Sequence, residues 1–196
     1  AVSLMREARA SYHKAALSYQ RYLERYRKDQ NTYELLYLYA DALYYSEEYE
    51  RAFNQYLVVR DSKLGNDHLE ESAFSSILSH VEIIKEAISK GELAAKSSLL
   101  EGARNDNQSS QGSQDKEGTV GDPQRVKPEE IPLLAQQAIE IRDDYLKLNV
   151  TAEDDPDRSS VLIYKIGEMY MDYLHYEPGR KRLIEVIEKH SKSPVA

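Results

Sequence analysis

The stretch YELLYLYADALYYSEEYERAFNQYLVV, Tyr33 to Val59, decides the fold. Leu36, Tyr39, Ala40 and Leu43 recur at helical spacing, and Tyr49, Ala52, Tyr56 and Val59 do so again after the polar break Ser46-Glu47-Glu48. Each half therefore carries one apolar stripe. Joined by so short a break, the two helices must fold back on each other, because neither stripe can be buried alone. Ala40 and Ala52 stand in mid-stripe, where two antiparallel helices need to approach closely.

Working outward, the same spacing returns twice. Ile163, Ile166, Gly167 and Tyr170 repeat the first helix, with Gly167 in the place of Ala40, and Tyr176, Gly179, Leu183 and Val186 repeat the second. Tyr12, Ala15, Tyr19 and Tyr22 repeat the second-helix spacing alone, so residues 1–27 read as the end of one helix and the whole of another. The chain then reads as beginning inside a repeat, as a piece of a longer protein would. This succession of large, small and aromatic positions resembles the tetratricopeptide repeat (TPR) family. The likeness covers Tyr33–Val59 and Ser160–Val186 nearly throughout and is weak over residues 66–150; neither unit has the family's proline directly after its second helix.

The resemblance implies an all-α fold, a TPR-like stack of antiparallel helix pairs (an α-solenoid) interrupted by a disordered insertion. Residues 1–101 would hold a partial repeat (1–28), a good repeat (33–60) and an atypical long helix (67–90). That helix runs from Leu69 through Ala73, Ile77, Val81 and Ile84 to Ile88, is too long for the template, and meets a natural stop at Gly91. Glu92 to Leu100 reads as a further short helix. From Gly102 to Arg125 the chain offers almost nothing apolar to offset its ordering entropy, which marks residues 102–126 as a mobile insertion. Residues 127–192 resume the repeats. A first helical turn is expected at Lys127-Pro128-Glu129-Glu130, Leu134, Ala138, Ile141, Tyr145 and Leu148 make a stripe, and the last good repeat spans 160–190. Ala135, Ala138 and Tyr145 also suit the second-helix template, but Arg142 stands at its aromatic position.

Composition narrows the function. With 16 Tyr against 2 Phe, tyrosine supplies most of the aromatic packing, and its ring can be buried while its hydroxyl reaches water or a partner. A net charge of −8 without a dense Lys/Arg patch excludes nucleic acid as a partner. No run is long and apolar enough for direct membrane insertion, and no signal segment is visible. The lack of cysteine excludes disulfides, thiol nucleophiles and thiolate zinc sites.

No residues are expected to be catalytic or to bind a metal or cofactor. His13, His68, His80, His175 and His190 are scattered, with no pair at the spacing of a zinc helix, and there is no Gly-rich phosphate loop or nucleophile elbow. Glu153, Asp154, Asp155 and Asp157 lack the alternation and distal glutamate of a calcium loop and read as a solvated acidic turn. The acceptor patterns at Asn107 and Asn149 are too short to carry weight.

The informative residues are those the helix pairs do not need. The first helix of each good unit leaves a second face, Tyr37, Asp41, Tyr44 and Tyr45 in the central unit and Tyr164, Glu168, Met171 and Asp172 in the last. In the TPR family these positions line the concave groove that receives a peptide. Here tyrosine and carboxylate would suit a protein or peptide partner with basic and apolar side chains. The Lys, Asn and Arg that hold a C-terminal carboxylate in some members are missing. The long tyrosine-rich helices also resemble bacterial envelope members of the family. The stretch Tyr33 to Leu64, with Tyr-Ala-Asp-Ala-Leu-Tyr-Tyr-Ser-Glu and Val-Arg-Asp-Ser, resembles large repeat proteins of gliding bacteria associated with motility machinery. The resemblance implies a non-catalytic scaffold or adaptor in an envelope-associated complex, periplasmic or envelope-associated, with the cytoplasm as the alternative. A purely structural segment of a longer solenoid and a helical ligand-binding or enzyme domain are the competing readings.

Overall fold

A computed structural model describes residues 2–26, 29–100 and 127–195. The insertion expected at 102–126 lies outside the described residues. Those described form an all-α structure: α1 (Val2–Arg25), α2 (Thr32–Tyr45), α3 (Tyr49–Arg60), α4 (Leu69–Ser89), α5 (Ser97–Leu100), α6 (Leu133–Lys147), α7 (Arg158–Asp172) and α8 (Tyr176–Lys189). Each long helix packs on the next: α1 on α2, α2 on α3, α3 on α4, α4 on α6, α6 on α7 and α7 on α8, while α5 bridges α4 and α7.

The two expected hairpins are built alike. Ala40 and Ala52 are fully buried where α2 crosses α3. In the second hairpin a Cβ at Gly179 would lie 3.0 Å from the carbonyl oxygen of Gly167, tighter than ordinary contact. The turns match as well. Glu47 (φ 64°) and Leu174 (φ 62°) both adopt the left-handed conformation. The following amides, Glu48 and His175, donate back to the carbonyls of Leu43 and Tyr170 at 3.0 and 2.9 Å. Such a bond satisfies a carbonyl that the helix end would otherwise strand. Gly91 (φ 75°) ends α4 in the same way, with the Glu92 amide bonded to the Ala87 carbonyl at 2.9 Å.

Three expectations need correction. Residues 2–25 are one continuous helix, not two, since no Gly or Pro interrupts them. The helix expected to begin near Pro128 begins at Leu133, because the second proline, Pro132 (φ −58°, ψ 149°), keeps the residue before it out of helical geometry. The preceding strap docks on the end of α7 instead, where the Glu129 amide donates to the Tyr173 carbonyl at 3.0 Å and His175 Nε2 donates to the Glu129 carbonyl at 2.8 Å. The short helix expected over 92–100 is confined to Ser97–Leu100.

The core follows the stack. Ala16, Tyr39, Leu43 and Tyr56 join α1, α2 and α3. Phe74, Ile77, Ile141, Tyr145 and Leu162 join α4, α6 and α7, and Ile84, Leu99, Ala138, Ile166 and Met169 continue that core past α5. The segments on either side of residues 102–126 thus share one interior.

Candidate functional site: a tyrosine and carboxylate groove

Helical spacing puts Tyr37, Asp41 and Tyr45 on one face of α2, one turn apart, with Tyr44 beside them. All four line a groove of about 720 Å³ between α2 and α4. Its opposite wall is the face of α4 that carries Glu70, Glu71, Phe74, Ser75 and Leu78. Tyr56 closes it below, Asp67 stands at one end, and Thr151, Glu153, Asp154 and Arg158 border it from the connection between α6 and α7.

The half-buried carboxylate of Asp41 accepts a hydrogen bond from the Tyr56 hydroxyl at 2.6 Å. Burial raises its pKa above the ordinary carboxylate value; the Tyr56 bond opposes that rise and Glu71 adds to it. Burial and the neighbouring carboxylates likewise push the phenols of Tyr37 and Tyr56 upward. The phenols are therefore neutral, and the anions of the groove are its carboxylates. The Tyr37 ring stacks on His68 with centroids 4.1 Å apart and planes 2° apart. His68 in turn bridges Glu34 of α2 (2.5 Å) and Glu71 of α4 (3.2 Å). Burial opposes its protonation, but these two hydrogen bonds outweigh burial and raise its pKa. Tyr45 is the most open of the aromatic walls, 55% exposed, with Tyr12 at 5.0 Å and Tyr44 edge-on at 5.5 Å.

At the other end Arg158 occupies the groove from within. Its guanidinium lies 4.0 Å above the Phe74 ring and pairs with Glu70 (2.6 Å) and Asp154 (2.9 Å), with Asp155 at 3.7 Å. Tyr145 donates to the same oxygen of Glu70 at 2.5 Å. Two carboxylates of the 153–157 turn therefore face an arginine. Among the described residues, no three metal-ligating side chains converge, and no helix is long and apolar enough to cross a membrane.

The second predicted set does not reach this groove. Glu168 pairs with Lys165 at 2.8 Å, and the same lysine lies 5.7 Å from the centroid of the half-buried Tyr164 ring. Met171 packs where a Cβ at Gly179 would lie 3.1 Å from its Cγ, so it belongs to the contact between α7 and α8. Asp172 accepts from Ser98 Oγ at 2.5 Å, and its carbonyl accepts from Lys96, which ties α5 to the end of α7. The sequence reading missed the α4 wall altogether. A signal was present: about one repeat length beyond Tyr37, Asp41 and Tyr45 stand Glu70, Phe74 and Leu78. Comparison with family models, with curated proteins and with solved structures found no match.

Proposed function

We propose that this chain is a non-catalytic scaffold of TPR type that binds a partner protein or peptide in the groove between α2 and α4. The observation that carries the reading is that Tyr37, Asp41, Tyr44 and Tyr45, singled out as side chains the helix pairs do not need, line one cleft with a matching face of α4. The order of packing supports the repeat: α2 with α3, α4 with α6 and α7 with α8 make three pairs, with α1 preceding them as a lone second helix. The middle pair is interrupted by residues 90–132. Ala135, Ala138, Arg142 and Tyr145 of α6, at the second-helix spacing, are all buried, as that assignment requires. Four of the groove carboxylates are engaged, Asp41 by Tyr56, Glu71 by His68, and Glu70 and Asp154 by Arg158, an arrangement suited to binding rather than to proton transfer.

The test is a photo-crosslinking amino acid placed at position 45, in the groove, or at position 54, on the exposed side of α3. Capture of one partner from position 45 and not from 54, abolished by Asp41→Asn with helicity unchanged, supports the reading. Equal capture from both positions removes it. The fraction that yields the partner, envelope or cytosol, tests the envelope association that the resemblance implies.

One observation favours the second reading, a segment of a longer solenoid. Tyr176, Ile184 and Ile187 lie on one face of α8 and are 44, 39 and 58% exposed, an apolar surface on which a further helix would stack. Loss of a concentration-dependent change in mass on Ile184→Lys/Ile187→Lys, measured by sedimentation, would support that stacking.

A further inference from the structure

The groove already holds one cation, and its surroundings are specific. Arg158 lies flat over Phe74 at 4.0 Å while its edge meets Glu70 and Asp154. An aromatic face beneath and carboxylates in the plane suit a guanidinium better than an ammonium, since the planar fork lies flat on the ring while its edge makes several bonds sideways. An aromatic face and a carboxylate recur at the α2 end with no described lysine or arginine between them, and the positive group there, the His68 imidazole, is taken up by Glu34 and Glu71. The Asp41 carboxylate receives the Tyr56 hydroxyl on Oδ1, and the exposed Tyr45 ring stands one turn along the same helix face. Among the described residues, carboxylates outnumber cations along the groove, and Arg158 is the only lysine or arginine that lines it.

We infer that the partner bound in this groove presents an arginine side chain, which sits on Asp41 against the Tyr45 ring as Arg158 sits on Phe74 between Glu70 and Asp154. This rests on the groove being the binding site. Lysine fits less well, because its compact, strongly hydrated ammonium gives up more on leaving water and cannot cover the ring. A leucine-type neighbour of the arginine would find Leu78 on the opposite wall.

The experiment is an NMR titration of the full chain with the acetylated tripeptide amide Leu-Arg-Leu and its lysine and citrulline counterparts, following the tyrosine ring signals. Saturable shifts of Tyr45 and Tyr37 are expected with the arginine peptide. Its affinity should exceed that of the lysine peptide by about three- to fivefold, the size of one partly exposed cation–π contact. The uncharged citrulline peptide, nearly the same shape, should give no saturation. Asp41→Asn and Tyr45→Leu should each bring the arginine peptide down to the level of the lysine peptide, and Tyr45 is exposed enough for its variant to fold. Equal affinity for arginine and lysine, equal affinity for citrulline, or no saturation with any of them overturns the inference. The groove itself stands or falls separately, on crosslinking from position 45.

Discussion

Gly167 and Gly179 face each other where α7 crosses α8, and the two positions differ in what lies next to them. A Cβ at Gly167 would meet Leu183 Cδ2 at 2.8 Å and Cγ at 3.0 Å, with the Gly179 carbonyl oxygen farther off at 3.3 Å, and the leucine is a side chain that can turn. A Cβ at Gly179 would meet the Gly167 carbonyl oxygen at 3.0 Å, which cannot. Alanine gains roughly 1 kcal/mol of helix propensity at either site, while overpacking against backbone costs about 1–3 kcal/mol. Gly167→Ala is expected to leave stability nearly unchanged and Gly179→Ala to lower it by about 1 kcal/mol on balance. Urea denaturation of the two variants would decide it, and equal effects would show that the crossing is not limited by backbone.

Glu47 holds a left-handed conformation with a side chain whose visible return is an exposed ion pair to Arg9. That pair is worth little in water, whereas the conformation costs a non-glycine residue about 1–2 kcal/mol. Allowing for the greater freedom of glycine in the unfolded chain, Glu47→Gly should stabilise the protein by roughly 0.5–1 kcal/mol. A lower melting temperature for the variant would contradict this. Leu174, the matching residue, is half-buried, so the same change there forfeits packing and should not stabilise.

Arg142 is fully buried, and although Nη1 donates to the Ala138 carbonyl at 2.8 Å, Nε and Nη2 have no partner among the described residues. Burial alone lowers its pKa to about 10. Tyr56 and Leu183 fill the corresponding positions of α3 and α8. Replacing an unpaired buried cation by a hydrophobe of similar reach is favourable, so Arg142→Leu should raise stability by about 1–3 kcal/mol. A loss of stability in equilibrium unfolding would mean that the guanidinium has a role its visible contacts do not reveal.

Two histidines should tilt stability in opposite directions with pH. His80 is buried against Phe53, and burial, with help from Arg142, lowers its pKa to about 4. The fold therefore holds it neutral, and its contribution is lost as pH falls from about 6.5 towards 4, by up to roughly 3 kcal/mol. His68 has a raised pKa, so its contribution is present below about 6.5 and disappears as pH rises through the folded value. His80→Leu should flatten the acid limb of a stability profile. His68→Gln should destabilise at pH 6, by up to about 1 kcal/mol given its partly exposed partners, and much less at pH 9. Profiles parallel to wild type in both variants would dismiss this assignment.

How far these features could be read in advance depends on how local their cause is. The hairpins α2–α3 and α7–α8 were legible because stripe, break and small residue all lie within one short stretch, as was the stop at Gly91. The α2 face of the groove was legible because a helix turns its spare residues to a computable side. The partner of α4 was not, since residues 90–132 separate it from α6 and no periodicity crosses such a gap. Arg158 was hidden for a related reason: a polar residue opening a helix points to solvent or inward according to what lies across from it, and Glu70 and Phe74 stand far away in the sequence. Tyr164, Glu168, Met171 and Asp172 repeat the α2 pattern, but Lys96, Ser98 and Gly179 draw Asp172 and Met171 into internal contacts that the pattern cannot register.

The separation of α4 from α6 also sets an order of events. Each outer hairpin closes over a turn of a few residues, whereas α4 meets α6 only after residues 90–132 have been spanned, and closing a longer loop costs more entropy before any contact repays it. The outer hairpins should therefore assemble early and the α4–α6 seam late. Hydrogen exchange would show this as amides of α6 opening before those of α2 and α3, and the reverse order would refute it. The Arg158 end of the groove depends on that late seam, because Tyr145 and Arg158 reach Glu70 only across it. The groove is then finished from one end: its α2 half takes shape with the first hairpin, and its closed, arginine-filled end is completed last and loosened first under stress.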